Sequence, residues 1–189
     1  MKILKWLLIL QILVNLVGAL GPELGFDALW YHLTEAKLFL ANRSLDPIPG
    51  NLLYWSGLPR LGEMIYMFLP GKLVHWGFGV LCAFLIYRLA GVGSALLFYS
   101  TLLVGWLSTT AYVDLITTAF LLAAVYYKEP KRILFIILAS AVKLQALVYG
   151  LAITFIPWGI LGILPFAFIN WKATGNPVYP FLENFGFEH

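Results

Sequence analysis

The chain has 189 residues, of which 61% are hydrophobic, 16% are aromatic and 11% are charged. Soluble domains carry about 25% charged residues, so this composition excludes an ordinary water-facing surface. The net charge of +3 does not indicate nucleic-acid binding, because the basic residues stand mainly at the ends of apolar runs, where they anchor topology. Several of these runs approach the roughly 20 residues that cross a bilayer, and they lack the alternation of barrel strands. The sequence therefore predicts an all-α, polytopic helical membrane protein.

The first apolar run, at about 6–20, follows Lys2 and Lys5. Basic residues before a first span predict a cytoplasmic N-terminus. A cleaved signal peptide is the alternative, because the run is short and residues 18–20 loosely resemble a cleavage site. The apolar segments that follow favour a retained helix. Gly21 and Pro22 end that helix, so we expect residues 21–71 to form a loop on the outer face.

This outer-face loop gathers the charge that the apolar runs lack, with eight charged residues between positions 21 and 63. Within it, residues 26–40 carry apolar side chains at helical spacing, which predicts a helix along the membrane surface, with its apolar stripe towards lipid or neighbouring helices. Residues 42–57 are rich in turn-forming residues. Residues 61–69 predict a second short helix, which Pro70 and Gly71 end.

Three further spans are predicted at about 72–90, 94–107 and 115–127, with a tight turn at Gly91 and Gly93 between the first two. The basic residues Arg88 and 128–132 fall at the same side as the N-terminus in this topology.

The remainder, at 133–170, has two interpretations. Two spans breaking near Gly150 return the C-terminus to the cytoplasm, and membrane thickness favours them. Three short segments breaking near 143–145 and Pro157 leave it outside. In either case residues 1–189 form a single transmembrane domain.

Asp27 and Asp114 fall at predicted outer ends of spans, so both could face one site. An ionisable residue near membrane depth is costly and indicates function. Helix capping explains either aspartate alone, but not both on the same face as Lys143. Lys143 lies in an apolar stretch, where it either snorkels from a helix end or contacts an anion such as a lipid phosphate.

His32 lies away from the apolar stripe of the loop helix and near Glu35, so it could join a polar site. Glu63 could position a substrate hydroxyl or form a solvated ion pair with Arg60. The histidines and the single cysteine, Cys82, lack the spacing of zinc ligands. The sequence also lacks the Gly-X-Ser-X-Gly elbow of serine hydrolases.

Four blocks of sequence carry a family resemblance. They are residues 26–33 (FDALWYHL, with Lys37 and the turn at 47–49), 59–66 (PRLGEMIY), 110–114 (TAYVD) and 174–181 (TGNPVYPF). In this order they resemble the bacterial and archaeal membrane glycosyltransferases of the C-type fold, which use polyprenyl-phosphate sugars. Protein O-mannosyltransferases and aminoarabinose transferases belong to this family.

The resemblance implies transfer of a sugar from a polyprenyl-phosphate donor to an acceptor at the outer face of the cell membrane. It gives the catalytic role to Asp27 and a supporting acidic role to Asp114. The substrate-binding residues that it implies are Tyr31, His32, Lys37, Glu63 and Lys143. A carboxylate base would take the acceptor's proton, and Lys143 or a divalent metal would neutralise the leaving phosphate.

Members of that family are far longer and often carry a C-terminal soluble domain. We therefore expect a minimal version, a remnant, or one half of a split enzyme whose protein partner supplies the rest. The alternative function is a non-catalytic membrane subunit that binds a lipid-linked sugar or partners a longer transferase. A small transporter is disfavoured, because transporter sites lie near the midplane between repeats and no repeat is visible.

Overall fold

The computed structural model describes residues 2–50 and 53–182. Within these two ranges all regular structure is helical and no strand occurs, as the all-α prediction requires. Positions 51 and 52 of the predicted turn-rich stretch, and the last seven positions of the predicted single domain, lie outside the described residues. The α-helices are α1 (Lys2–Leu20), α2 (Leu33–Asn42), α3 (Leu61–Tyr66), α4 (Gly71–Tyr99), α5 (Leu102–Leu107), α6 (Asp114–Tyr126), α7 (Lys131–Val142), α8 (Ala146–Thr154) and α9 (Ile160–Thr174).

Two of these helices, α1 and α4, are long and apolar enough to cross a membrane. A core helix of a soluble protein would be mostly buried, but only 11% and 28% of their most apolar windows are buried. The outer side of α1 exposes large apolar side chains, such as Trp6 at 69% and Val17 at 71%. Such exposed apolar surface marks contact with lipid or protein rather than with water.

Helix α1 is docked on α4 by polar contacts at its C-terminal half. Trp76 Nε1 donates a hydrogen bond to the Ile12 carbonyl at 3.1 Å. Lys72 Nζ donates to the carbonyls of Gly18, Gly21 and Pro22 at 3.1, 2.8 and 2.7 Å. These carbonyls lie at the C-terminal end of α1 and just beyond it, where a cation complements the helix dipole.

The helices after α4 differ from the prediction in continuity. Gly91 has φ 86° and ψ 174°, a conformation open to glycine, so α4 consists of two helices that meet at a sharp kink where the turn was predicted. The predicted continuous helix over 94–107 is wrong, because the chain leaves the helix at Ser100 and restarts at Leu102. Thr101 caps the new helix, its hydroxyl accepting from Val104 N at 3.4 Å.

The C-terminal part consists of three short helices, α7, α8 and α9, with breaks at 143–145 and 155–159. These boundaries match the interpretation with three segments and contradict a single break near Gly150, which lies inside α8. Lys143 stands at the first break, in an extended conformation that ends α7. The break therefore turns the lysine away from the helical path.

Between α1 and α4, the segment 21–71 contains a π-helical turn (Ala28–His32), α2, a 3-10 turn (Tyr54–Gly57) and α3. The predicted helix over 26–40 is present, and it runs on to Asn42. Of its predicted apolar stripe, Phe26 and Leu29 face outward at 71% and 54% exposure, whereas Ala36 is buried at 2%. His32 and Glu35 are also buried, at 4% and 2%.

Candidate functional site

A cavity of about 200 Å³ lies where the 21–71 segment meets the break between α7 and α8. We call it the glutamate cavity, because Glu35 and Glu63 both line it. The π-helical turn and α2 supply one wall, the stretch before α3 supplies another, and the α7–α8 break closes the third. Its lining residues are Tyr31, His32, Glu35, Trp55, Leu58, Pro59, Arg60, Glu63, Val113, Val142, Lys143, Leu144 and Gln145.

His32 and Glu63 form a buried pair in this wall, with Nδ1 and Oε1 2.5 Å apart. With a proton on Nδ1, the imidazole donates to the carboxylate, which fixes the ring orientation. Glu63 can approach because α3 comes close to the 113 region, where a Cβ on Gly62 would lie 2.4 Å from Val113 Cγ1. Both residues were predicted as substrate-binding, and both line the cavity.

Glu35 lies one helical turn after His32 on the same buried face. Burial, and to a smaller extent the nearby charge of Glu63, raise the pKa of its carboxyl to about 9, although the guanidinium of Arg60 opposes them. Because this value is above physiological pH, Glu35 carries a proton at pH 7.

Arg60 is buried in the cavity wall at 1% exposure. Its guanidinium does not pair with Glu63, as one sequence interpretation had it; it donates to the carbonyls of Leu45 and Leu58 and to Asn170 Oδ1, the last at 2.5 Å. Asn170 in turn donates to the Gly57 carbonyl at 2.6 Å. Burial lowers the pKa of Arg60 to about 10, so it remains a cation at neutral pH.

Asp114 and Lys143 form a second ion pair, with Oδ1 and Nζ 2.6 Å apart and side chains 35% and 34% exposed. Asp114 begins α6, and Lys143 reaches it from the break after α7. His75 holds this start of α6 in place, because its Nε2 accepts from Leu115 N at 2.9 Å. Of the three residues that the sequence analysis placed on one face, Asp114 and Lys143 therefore meet directly, and Asp27 is not part of this pair.

Next to the glutamate cavity lies an apolar groove of about 590 Å³. It runs between α6 and α8, and Lys143 and Gln145 line both the groove and the cavity. An amphipathic molecule could thus place its charged group at Lys143 with an apolar chain beside it. The groove is lined by Asp114, Thr117, Thr118, Leu121, Leu122, Val125, Lys143, Gln145, Ala146, Tyr149, Ala152 and Ile153.

Tyr31 also lines the glutamate cavity. Burial raises the pKa of its hydroxyl above the ordinary range, and the nearby carboxyl groups of Asp27, Glu63, Asp114 and Glu35 raise it further. Asp27 is half-buried at the entry to the π-helical turn. It does not line the cavity, and its backbone N–H donates to Tyr112 Oη at 3.3 Å.

The segment that carries Tyr112 also contacts the 21–71 segment at a further point. Glu23 accepts from the backbone N–H groups of Leu24, Gly25 and Ala111 at 2.9, 2.7 and 2.8 Å. The Glu23 carboxylate therefore links the sequence block that carries Asp27 to the block that carries Asp114.

Two further predictions concern Lys37 and a divalent metal. Lys37 is exposed on α2 and lines neither the cavity nor the groove. In residues 2–50 and 53–182, no three His, Cys, Asp or Glu side chains are grouped to hold a metal ion.

Sequence reasoning did not assign Glu35, Arg60, Asn170 or Gln145 to the site. For Glu35 a signal existed, because it lies three positions after His32 and so shares its helix face. Arg60 and Asn170 are separated by 110 positions, and nothing in either local pattern indicates their contact.

The comparisons with known proteins give no relative on which to base an assignment. A scan against protein-family models found no matching family, and searches of curated proteins and of solved structures found no match. The site must therefore be interpreted from its own geometry.

Proposed function

We propose that the chain is a membrane glycosyltransferase of the C-type, which moves a sugar from a polyprenyl-phosphate donor to an acceptor. The observation that carries the proposal is the position of Lys143, which lines both the glutamate cavity and the apolar groove. A polyprenyl-phosphate sugar has the same three parts in the same order: a polar sugar, an anionic phosphate and an apolar chain. The resemblance of the four sequence blocks supports the same assignment.

In the proposed reaction, an acceptor hydroxyl or amine attacks the anomeric carbon and the bond from that carbon to the phosphate oxygen breaks. The acceptor's proton passes to a carboxylate, which we assign to Asp27 from the sequence resemblance. The polyprenyl phosphate leaves with the bonding electron pair. Lys143 stabilises its charge as a point cation.

The Asp114–Lys143 ion pair has a defined part in this scheme. At 2.6 Å the lysine is already neutralised by Asp114, so an incoming phosphate must share or displace that carboxylate. Asp114 thus sets how strongly Lys143 holds the phosphate, which is the supporting acidic role.

We also infer a multi-pass arrangement in a cell membrane, with the N-terminus cytoplasmic and the 21–71 segment on the outer face. The apolar helices α1 and α4 supply two crossings. The shorter helices α6, α7, α8 and α9 would complete the bundle, and Lys2 and Lys5 set its orientation. The exposed apolar side chains of 26–40 would then rest on lipid.

Binding of a polyprenyl phosphate without sugar tests whether Lys143 contacts the phosphate. We expect Lys143→Met to weaken binding to the purified chain in nanodiscs about tenfold, because a charge-assisted contact to the phosphate is lost. Lys128→Met is the matched control, since Lys128 is exposed in the turn before α7. Equal binding by wild type and Lys143→Met would refute the assignment of the phosphate to Lys143.

A non-catalytic membrane subunit is the second candidate, and the neutralised state of Lys143 favours it. A lysine already paired with Asp114 is suited to holding a lipid reversibly. Such a subunit would bind the lipid and leave the sugar attached, with a partner protein supplying the rest of the active site. Turnover by the purified chain separates the two candidates.

A further inference from the structure

The two glutamates of the cavity each leave one oxygen without a hydrogen-bond partner among the described residues: Glu35 Oε1 and Glu63 Oε2. Both residues are deeply buried, at 2% and 4% exposure. Buried polar atoms are nearly always hydrogen-bonded, and an orphaned one requires an explanation. Two such oxygens on one cavity indicate where polar groups of a ligand would bind.

The two oxygens offer complementary hydrogen bonding. Glu63 already receives a hydrogen bond from His32 on Oε1, so its Oε2 is free to accept from a ligand. Glu35 is protonated at neutral pH because burial and Glu63 raise its pKa, and a carboxylic acid both donates and accepts. Hydroxyl groups, which also donate and accept, match this pair.

The charges around the cavity favour an uncharged ligand. The carboxylates of Glu63 and Asp114 oppose the cations of Arg60 and Lys143. The net charge of these four groups is therefore zero, and a protonated Glu35 adds none. An ammonium group would add a buried charge beside a carboxylate, Glu63, that already pairs with His32 and lies in the field of the Arg60 guanidinium, which is costly. The volume of about 200 Å³ far exceeds the roughly 30 Å³ of one water, so a ring-sized group has room.

We propose that the glutamate cavity binds an uncharged polyhydroxy ring, such as a neutral monosaccharide unit, through hydrogen bonds from its hydroxyls to Glu35 and Glu63. Glu35 acts in this contact as a carboxylic acid and determines specificity against charged sugars. The inference rests on the proposed transferase function for the identity of the sugar as the transferred group. Binding can be tested without turnover.

The first experiment measures binding of free methyl glycosides to the purified full chain in nanodiscs by saturation-transfer NMR at pH 7. The probes are neutral methyl hexosides, with a methyl aminohexoside as the charged comparator. We expect a neutral hexoside to bind and the aminohexoside to bind at least about fivefold more weakly. Absence of binding by every neutral hexoside, or preference for the aminohexoside, would overturn the proposal.

Variants at Glu35 test the role of its carboxylic acid. Glu35→Gln keeps a donor and an acceptor in the same place, so it should keep hexoside affinity within about threefold. Glu35→Leu removes both and should weaken binding about tenfold or more, because a buried hydroxyl of the ligand would then have no hydrogen-bond partner. Glu129→Gln, at an exposed position, is the matched control. All variants are compared only when they are monodisperse and helical.

A pH series separates protonated Glu35 from a merely structural Glu35. Hexoside affinity of the wild type should fall as pH rises from 7 towards and past about 9, because ionised Glu35 loses its donor. Glu35→Gln should show no such fall. The other titratable groups facing this site, which both proteins share, are Tyr31, His32, Arg60, Glu63 and Lys143. A fall of equal size in Glu35→Gln, or equal loss of binding in Glu35→Gln and Glu35→Leu, would contradict the proposed contact.

These outcomes are independent of those for the proposed function. If hexoside binding needs Glu35 but the chain releases no sugar from a lipid donor, the cavity assignment is supported and the transferase function is refuted. If Glu35→Leu leaves sugar transfer unchanged, the cavity assignment is refuted and the transferase function stands.

Discussion

At the scale of residues, burial decides what the acidic side chains of the 21–71 segment can do. Asp46 is exposed and Asp27 is half-buried, whereas Glu35 is enclosed by the chain. A carboxyl that is removed from water favours its neutral form, which is why the pKa of Glu35 rises to about 9. Identical functional groups thus serve as surface charge in one place and as a hydrogen-bond donor in another.

Glu35 should make the stability of the protein depend on pH. Its pKa is higher in the folded chain, about 9, than the ordinary value of 4.5, so the folded state holds the proton more tightly. Its contribution is fully present below pH 4.5 and is lost as pH rises to about 9. By pH 7 the loss is on the order of 3 kcal/mol. Melting temperatures should therefore fall from pH 5 to pH 9 in the wild type and stay flatter in Glu35→Gln. Parallel curves for the two proteins would contradict this.

The residue scale also shows how far the sequence could be interpreted. Periodicity on one helix was enough to place His32 away from the apolar stripe and near Glu35. It could not reveal the contact of Arg60 with Asn170, because tertiary packing alone brings these positions together. The predicted solvated ion pair of Arg60 with Glu63 is therefore replaced by a buried hydrogen-bond network.

At the scale of elements, helix breaks position the chemistry. Basic and apolar patterning predicted α1 and α6 well, because each is a plain apolar run with polar ends. The stop at Ser100 and Thr101 carries weaker local signals, and the prediction ran through it. The break at 143–145 was one of two interpretations, and it is the break that brings Lys143 to Asp114.

Close packing of α7 against α9 gives a prediction at this scale. A Cβ on Gly162 would lie 2.1 Å from the Ile137 carbonyl oxygen of α7. Small residues let apolar helices approach in this way. Gly162→Ala should therefore destabilise the fold by about 1–3 kcal/mol, the usual cost of overpacking, and lower the melting temperature. Gly77→Ala is the control, because nothing lies within 4 Å of its added Cβ. An equal response of the two variants would show that α7 and α9 are not packed this closely.

At the scale of the whole molecule, the positions of the positive charges predict which side of the membrane each loop faces. In a Cys82→Ala background, a cysteine at Leu24, which is 84% exposed, should react with a membrane-impermeant maleimide in intact cells. A cysteine at Glu129, in the exposed turn between α6 and α7, should react only after permeabilisation. This difference follows from the positive charges at Lys2, Lys5 and 128–132. The reverse pattern would invert the proposed topology and move the candidate site to the cytoplasmic side.

Sugar transfer from a radiolabelled polyprenyl-phosphate sugar by the purified chain in lipid decides whether this protein is a transferase. Wild type, Asp27→Asn and the matched control Asp46→Asn, at an exposed aspartate of the same loop, would be compared. The account predicts turnover by the wild type and by Asp46→Asn, with loss of at least about a hundredfold in Asp27→Asn, since a general base contributes about that much. Bound lipid with no turnover in the wild type would contradict it and leave a non-catalytic lipid-binding subunit.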